Sequence, residues 1–345
     1  MRLTKLVEDN VTLLLGAPRS GTTWLGKILD SHPNVLYRHE PDTIRTTRDL
    51  PAVCPPDQIP DFQDTARAYL RGMMNVTALP VAGSRPVFAK SYRFGVVGKL
   101  RGSLVGAVHA AAQWKPLRTR ARSFKVPDMI GGRQVAKLNV VLKSVRSRGR
   151  VGLLAQALPR ARIVFVLRDP FGYVAAMLRG TRHGRFSSRI PVQELLDTMQ
   201  ARHLGLTETA YRQLPVLEQL AWNWAILNQK ALDELAGLGR VKIVHYHDLC
   251  ATPVRAARDV FAFLGLPWHA QTDSFIRACV EYDGKDPAYR LLRNARRSLN
   301  RWQGDLKQEE RDRIEAVARQ LPIWELCGAA ASVQGAQPPV FLPEK

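Results

Sequence analysis

The sequence predicts one doubly wound α/β domain, three layers deep, with a central parallel sheet. Three observations lead there. Short β-rich apolar runs recur along the chain, and several, such as Ile163-Val164-Phe165-Val166-Leu167, are continuous rather than alternating. Continuous runs suit strands buried on both faces. Segments with apolar residues at i, i+3 and i+4 lie between them, so helices cover both faces of the sheet. The first run ends at a glycine, and a tight loop leads from it into a helix.

In chain order, the predicted strands cover residues 11–15, 35–37, 87–89, 140–142, 163–167 and 241–244. The first helix starts near Thr22 and stops at Ser31-His32-Pro33. Leu217, Leu220, Ala221, Trp224, Leu227, Ala231 and Leu235 share one helical face, and Gly237 and Gly239 end it. The next helix has Thr252 as N-cap, Pro253 in its first turn and Gly265 after its last. Residues 45–135 break the alternation. Pro51, Pro55, Pro56 and Pro60 punctuate its start, and a glycine-rich basic stretch follows at 94–115. This stretch reads either as a loop-and-helix insertion or as a substrate-binding lid or membrane-contact surface. Lys99 and Arg101 exclude a spanning helix. The domain is therefore expected over 1–328, with the basic insertion inside it, and the tail 329–345 is expected to be poorly ordered.

The chain has 345 residues, 46% hydrophobic and 23% charged, which excludes a disordered or collagen-like protein. The net charge is +21, and residues 65–168 hold 21 Lys and Arg against one acid, Asp128. Positive charge this concentrated calls for an anionic partner: a nucleic acid, an anionic lipid surface or a polyanionic small molecule. Composition does not choose among them. The four cysteines, Cys54, Cys250, Cys279 and Cys327, are far apart and give neither a disulfide framework nor a metal knuckle. No signal peptide or transmembrane span is expected, and a reducing, cytoplasmic setting follows as the default.

The segment 11–29, VTLLLGAPRSGTTWLGKIL, carries the most chemistry. Gly16 and Gly21 bracket four residues and Thr22-Thr23 follow, the spacing of a Walker A loop. A P-loop NTPase-like fold is the expectation. The N–H groups of Ser20, Gly21, Thr22 and Thr23 can converge on a phosphate, and the helix start adds roughly half a positive charge. One position departs from Walker A: Thr22 stands where the lysine belongs, and the loop cation is Arg19. The strand at 163–167 is followed by Arg168 rather than a metal-binding aspartate. A phosphoryl-transfer enzyme needs a metal there; this site relies on arginines, so no metal is expected. His245, His247, Asp248 and Cys250 make no metal set, because neighbouring strand positions face opposite ways.

The run GAPRSGTTW resembles the 5′-phosphosulfate loop of the sulfotransferases that use 3′-phosphoadenylyl sulfate (PAPS). The resemblance implies that Pro18, Arg19, Ser20, Gly21, Thr22, Thr23 and Trp24 bind the co-substrate, with Arg19 also on the transferring group. A sulfuryl group carries less charge than a phosphoryl group, so fixed cations and amides can stabilise it. The segment 163–180 resembles the family's 3′-phosphate site, with Arg168 as the gripping residue. The family's usual serine is here Ala176, and Arg179 or Arg182 could compensate. The segment 30–43 resembles that of the carbohydrate and protein-tyrosine sulfotransferases, in which a glutamate is the general base. That residue is Glu40, with a pKa expected to be raised near the sulfate. Rival readings are a structural carboxylate tied to Arg38 or Arg45, and His39 as the base. The stretch 140–146 resembles the KxxR segment of the carbohydrate enzymes. It offers Lys143 and Arg146 to the sulfate or an anionic acceptor, unless they form a solvated basic face. The segment 297–306 resembles the late loop that closes over the nucleotide, making Arg296, Arg297 and Arg301 candidates for the 3′-phosphate.

The expected reaction is sulfuryl transfer from PAPS to a hydroxyl of a carbohydrate or other acceptor, such as a saccharide or glycolipid, giving PAP (3′,5′-adenosine bisphosphate). Peripheral membrane contact through the basic insertion is part of this expectation. One rival is a small-molecule kinase of the same fold. Another is a basic nucleic-acid-binding protein, against which stands the scatter of Tyr92, Phe94, Trp114 and Phe124.

Overall fold

The computed structural model describes residues 8–93, 95–130, 138–182, 190–281 and 299–332, with the side chains of 181–182 and 328–332 excepted. The strands β1 (Val11–Gly16), β2 (Val35–His39), β3 (Asn139–Ser144), β4 (Arg162–Leu167) and β5 (Val241–His245) form one parallel sheet in the order β2-β3-β1-β4-β5. The main helices are α1 (Thr22–Ser31), α2 (Ile59–Met74), α3 (Gly95–Ala111), α4 (Val151–Ala157), α5 (Pro170–Arg182), α6 (Val216–Leu235), α7 (Pro253–Phe263), α8 (Ala270–Glu281), α9 (Gln308–Ala318) and α10 (Ile323–Ser332).

The continuous apolar strands have a direct structural reading. Leu13, Leu15, Val140, Leu142, Ile163 and Phe165 face α2, α4, α5 and α6, while Leu14, Val141, Val164 and Val166 face α1, α7 and α8. Successive residues point to opposite faces, and both faces are covered, so both parities are mostly apolar; among the exceptions, Arg38, Lys143 and Ser144 lie toward the carboxyl ends of β2 and β3. The result is the expected P-loop NTPase-like three-layer α/β/α arrangement. All four cysteines are buried and unpaired.

One expectation meets a different outcome. Residues 87–89 form no strand. Phe88 instead packs edge-on against Phe275 at 5.0 Å, and Lys90 reaches the Asp30 carboxylate and the Val35 carbonyl at 2.9 and 2.8 Å. Burial differs along the basic insertion. Tyr69, Leu70 and Met73 of α2 belong to the main core, whereas α3 buries only Arg101 and Val105; positions 131–135 lie outside the described residues. The last helix, α10, runs to Ser332; of the tail 329–345, residues 333–345 lie outside the described residues.

Candidate active site

Parallel register gathers the candidate residues. His39 pairs with Lys143, Leu15 with Ser144, Gly16 with Val166 and Leu167 with His245. Glu40, Lys143, the Gly16–Gly21 loop and Arg168 therefore emerge together at the carboxyl edge of the sheet, where open α/β folds bind ligands.

The loop itself is built for close approach. Gly21 has φ +88°, and a Cβ there would lie 2.5 Å from the Tyr246 ring, so no side chain fits. Arg19 is also left-handed, at φ 68°. Trp24 and Leu25 donate their N–H groups to the Gly21 carbonyl at 3.0 and 3.1 Å, while Thr22 and Thr23 open the helix. The first N–H groups of a helix have no intrahelical acceptor. The buried Ser20 Oγ has no hydrogen-bond partner among the described residues. An oxyanion at the loop mouth would satisfy these donors, so the residues present fit a phosphate or sulfate group.

On one side stands Glu40, held at φ 45° by donation from its N–H to the Lys143 carbonyl at 3.0 Å. A non-glycine residue in this region costs on the order of 1–3 kcal/mol, and such strain concentrates at functional sites. Lys143 Nζ, almost wholly buried, donates to Glu40 Oε1 and to Thr23 Oγ1, the latter at 3.1 Å. The lysine thus bridges the carboxylate to the start of α1, just after the Gly16–Gly21 loop. Burial pushes the Glu40 carboxyl upward, but Lys143, His39 and Arg146 together hold it below its ordinary value. The raised pKa expected from sequence is therefore reversed in this structure, because a buried cation neighbours the carboxylate. Burial also depresses the Lys143 ammonium, with Glu40 opposing.

The rivals for Glu40 are accounted for. Arg38 gives a forked pair of bonds to Asp128 at 3.0 and 2.6 Å, and Arg45 packs across Gly72. His39 is pushed down to about 3 by burial and then by Lys143, and its Nδ1 lies 3.0 Å from the Tyr37 hydroxyl.

On the other side stands Arg168. Its Nη1 donates to the Arg19 carbonyl at 2.6 Å, its guanidinium lies 4.3 Å from the Tyr246 ring centre, and its own carbonyl accepts from Trp224 Nε1 at 2.9 Å. The buried Arg168 Nε has no hydrogen-bond partner among the described residues. Arg179 pairs with Asp305, and Arg301 stands 3.9 Å from the same carboxylate. Burial lowers the Arg179 pKa against the pull of Asp305, with Arg301, Arg168 and Arg19 adding to the lowering. Arg301, Arg168 and Arg19 thus all lie within electrostatic reach of Arg179. Beyond Arg168 a cavity of about 240 Å³ is lined by Tyr246, Leu299 and Trp302 among others. Among the described residues no group of three His, Cys, Asp or Glu could hold a metal ion.

The sequence model described as the Sulfotransferase family matches residues 12–270. The chain belongs to that family. No curated protein matches it by sequence. Among solved structures this sulfotransferase is similar to the sulfotransferase domain of the Synechococcus PCC 7002 olefin synthase, 15% identical, covering 90% of this chain and 95% of that one with a TM-score of 0.44. The sulfotransferase domain of the curacin biosynthetic pathway is 18% identical, with coverages of 90% and 98% and a TM-score of 0.43. The mouse sulfotransferase SULT7A1, solved with PAP, is 10% identical, with coverages of 92% and 86% and a TM-score of 0.34.

Ala176 is buried within α5 and has no side-chain hydrogen-bonding atom, so it cannot supply the family's hydroxyl contact. Arg179 stands near that place instead. The Arg182 side chain, Arg296 and Arg297 lie outside the described residues. Pro18 and Trp24 are half-buried, and Trp24 packs on the cluster of Tyr246 and Cys250. Arg146 is half-buried near Glu40, Asp42 and Tyr69. Sequence reasoning missed Tyr246 as the residue facing both Gly21 and Arg168. Its signal was only a tyrosine just after the last strand, too common to single out.

Proposed function

We propose that the protein transfers the sulfuryl group of PAPS to an acceptor hydroxyl and releases PAP. The observation that carries this reading is the bridge from Glu40 through Lys143 to Thr23, which ties a carboxylate to the nucleotide loop. In the reaction a bond forms between the hydroxyl oxygen and sulfur, and the bond from sulfur to the 5′-phosphate oxygen breaks. Glu40 takes the hydroxyl proton through the oxygen that Lys143 leaves open. Lys143, Arg19 and the loop amides bear the charge of the transferring group and of the departing phosphate. Arg168, with Arg179 and Arg301 behind it, holds the 3′-phosphate by charge-assisted contact. An anion arriving beside Lys143 weakens its hold on Glu40 and raises the carboxylate's basicity, which suits a general base.

A saccharide or glycolipid hydroxyl is the acceptor class we favour, particularly one with an acidic group nearby. Arg45, Arg146 and Arg150 all act electrostatically on Tyr69 beside Asp42, next to the proposed base. The buried Arg150 lies 5.5 Å from the Tyr69 ring centre.

The reading is tested by calorimetry with PAP. Binding at micromolar concentration, unchanged by excess EDTA, is the expected result. A protein that ignores PAP, or needs a divalent ion to hold it, rejects the reading.

A further inference from the structure

The helix α3 has aliphatic residues on both sides. Its inner side carries Arg101, whose Nε and Nη2 donate to the carbonyls of Pro127 and Ala82 at 2.9 and 2.7 Å. Val105 is buried beside it with Leu79 and Val126, and Val108 packs against them. The outer side carries a second, uncovered aliphatic stripe. Val96, Val97 and Leu100 are 69%, 43% and 60% exposed, and the helical period continues their stripe through Leu104, Ala107 and Ala111. Just beyond the helix, Trp114 is 64% exposed.

A soluble surface helix buries its aliphatic stripe and turns its arginine outward, so this arrangement needs a reason. The charge around it supplies one. Lys99, Lys115, Arg118, Arg120, Arg122 and Lys125 are all exposed, and no acid occurs between Asp64 and Asp128. Aliphatic residues and an indole bounded only by cations match the boundary between acyl chains and anionic headgroups. A nucleic acid would use the cations but leave the valines and leucine without a partner. The helix is too short and too polar to span: no helix among the described residues is long and apolar enough to cross a membrane.

We propose that α3 and the segment after it, through Lys125, form a peripheral docking surface for an anionic lipid bilayer, with Val96, Leu100 and Trp114 entering the interface. The inner side of α3 is fixed to the domain by Arg101 and by a contact of 2.9 Å between His109 Nε2 and the Gly83 carbonyl. The short helix Leu79–Ala82, to which Arg101 bonds, packs on β2. A lipid surface held here would thus lie against the β2 edge of the molecule.

The test is co-sedimentation of the full chain at about 0.15 M salt with two vesicle types. One is phosphatidylcholine alone, and the other contains about 30 mol% phosphatidylserine. Partition into the second should exceed the first by at least about tenfold. The double variant Val96→Ser, Leu100→Ser removes only exposed side chains, so its melting midpoint should be unchanged while partition falls by about fivefold or more. Four results would each overturn the proposal: equal partition into both vesicles, no partition into either, a double variant that binds like the parent, or a self-associated parent that the double variant converts to monomer. The last would mean that a second copy covers this face. Binding of transfer RNA that survives in the double variant, without vesicle binding, would assign the charge to nucleic acid instead.

Discussion

Two opposing forces act on the Glu40 carboxyl: burial raises its pKa, and the ammonium of Lys143 lowers it further than burial raises it. The sign has a kinetic consequence. A base whose pKa is depressed stays deprotonated through neutral pH and loses activity only as pH falls through that depressed value. The acid limb of kcat/KM for PAPS, which reports the free enzyme, should therefore lie below the ordinary carboxylate value of 4.5. Lys143→Met removes the cation and leaves the burial, so the limb should move upward by about one unit or more. A limb that stays in place would remove Lys143 from this role. Glu40→Gln should keep PAP affinity and lose most turnover, about a hundredfold or more; unchanged turnover would put the base elsewhere. Arg168→Ala should weaken PAP about ten- to a hundredfold in calorimetry, the value of a charge-assisted contact. Undiminished affinity would mean that Arg168 does not touch the nucleotide.

At the scale of elements, the contact between α1 and the segment 84–90 steadies the helix that begins at the nucleotide loop. Asp30 accepts from Lys27 at 2.5 Å and from Lys90 at 2.9 Å, and both lysines are buried. Lys27 also donates to the Ser84 carbonyl at 2.9 Å. Removing the shared carboxylate leaves two buried cations without their counterion. Asp30→Asn should cost about 3–5 kcal/mol in a urea melt, and a loss under about 1 kcal/mol would mean that the pairs contribute little. Burial raises the Asp30 carboxyl, but Lys27 and Lys90 overcome this and bring it to about 2. This contribution is thus complete above the ordinary value of 3.8 and disappears as pH falls through about 2. The segment also explains the misread strand at 87–89. Val87, Phe88 and Ala89 have a strand-like composition, but Phe88 spends its ring on Phe275 and Lys90 its ammonium on α1 and β2. Local composition cannot distinguish an extended tether from a strand.

At the scale of the whole molecule, a net charge of +21 concentrated between residues 65 and 168 repels itself. Raising salt from about 0.05 to about 0.5 M shortens the screening length to a few ångströms, and the melting temperature should rise. A fall would mean that attractive pairs outweigh the repulsion. The same charge serves different ends at different places. Lys143, Arg168 and Arg179 are gathered at the carboxyl edge of the sheet, whereas the cations around α3 face outward.

The chain alone determined the α/β class, because strands buried on both faces read as continuous apolar runs, as Leu13–Leu15 of β1 and Ile163–Leu167 of β4 do. It also determined the glycine-bracketed loop from Gly16 to Gly21, since these residues are consecutive and their local spacing is the signal. Tertiary structure alone decided what surrounds Glu40: its cation lies 103 residues away, brought beside it by the pairing of β2 with β3. It likewise decided that Tyr246 closes over Gly21, and that an aliphatic stripe of α3 faces out. Side-chain partners across a parallel sheet are set by register and burial, and neither is encoded in residues near each other in the chain.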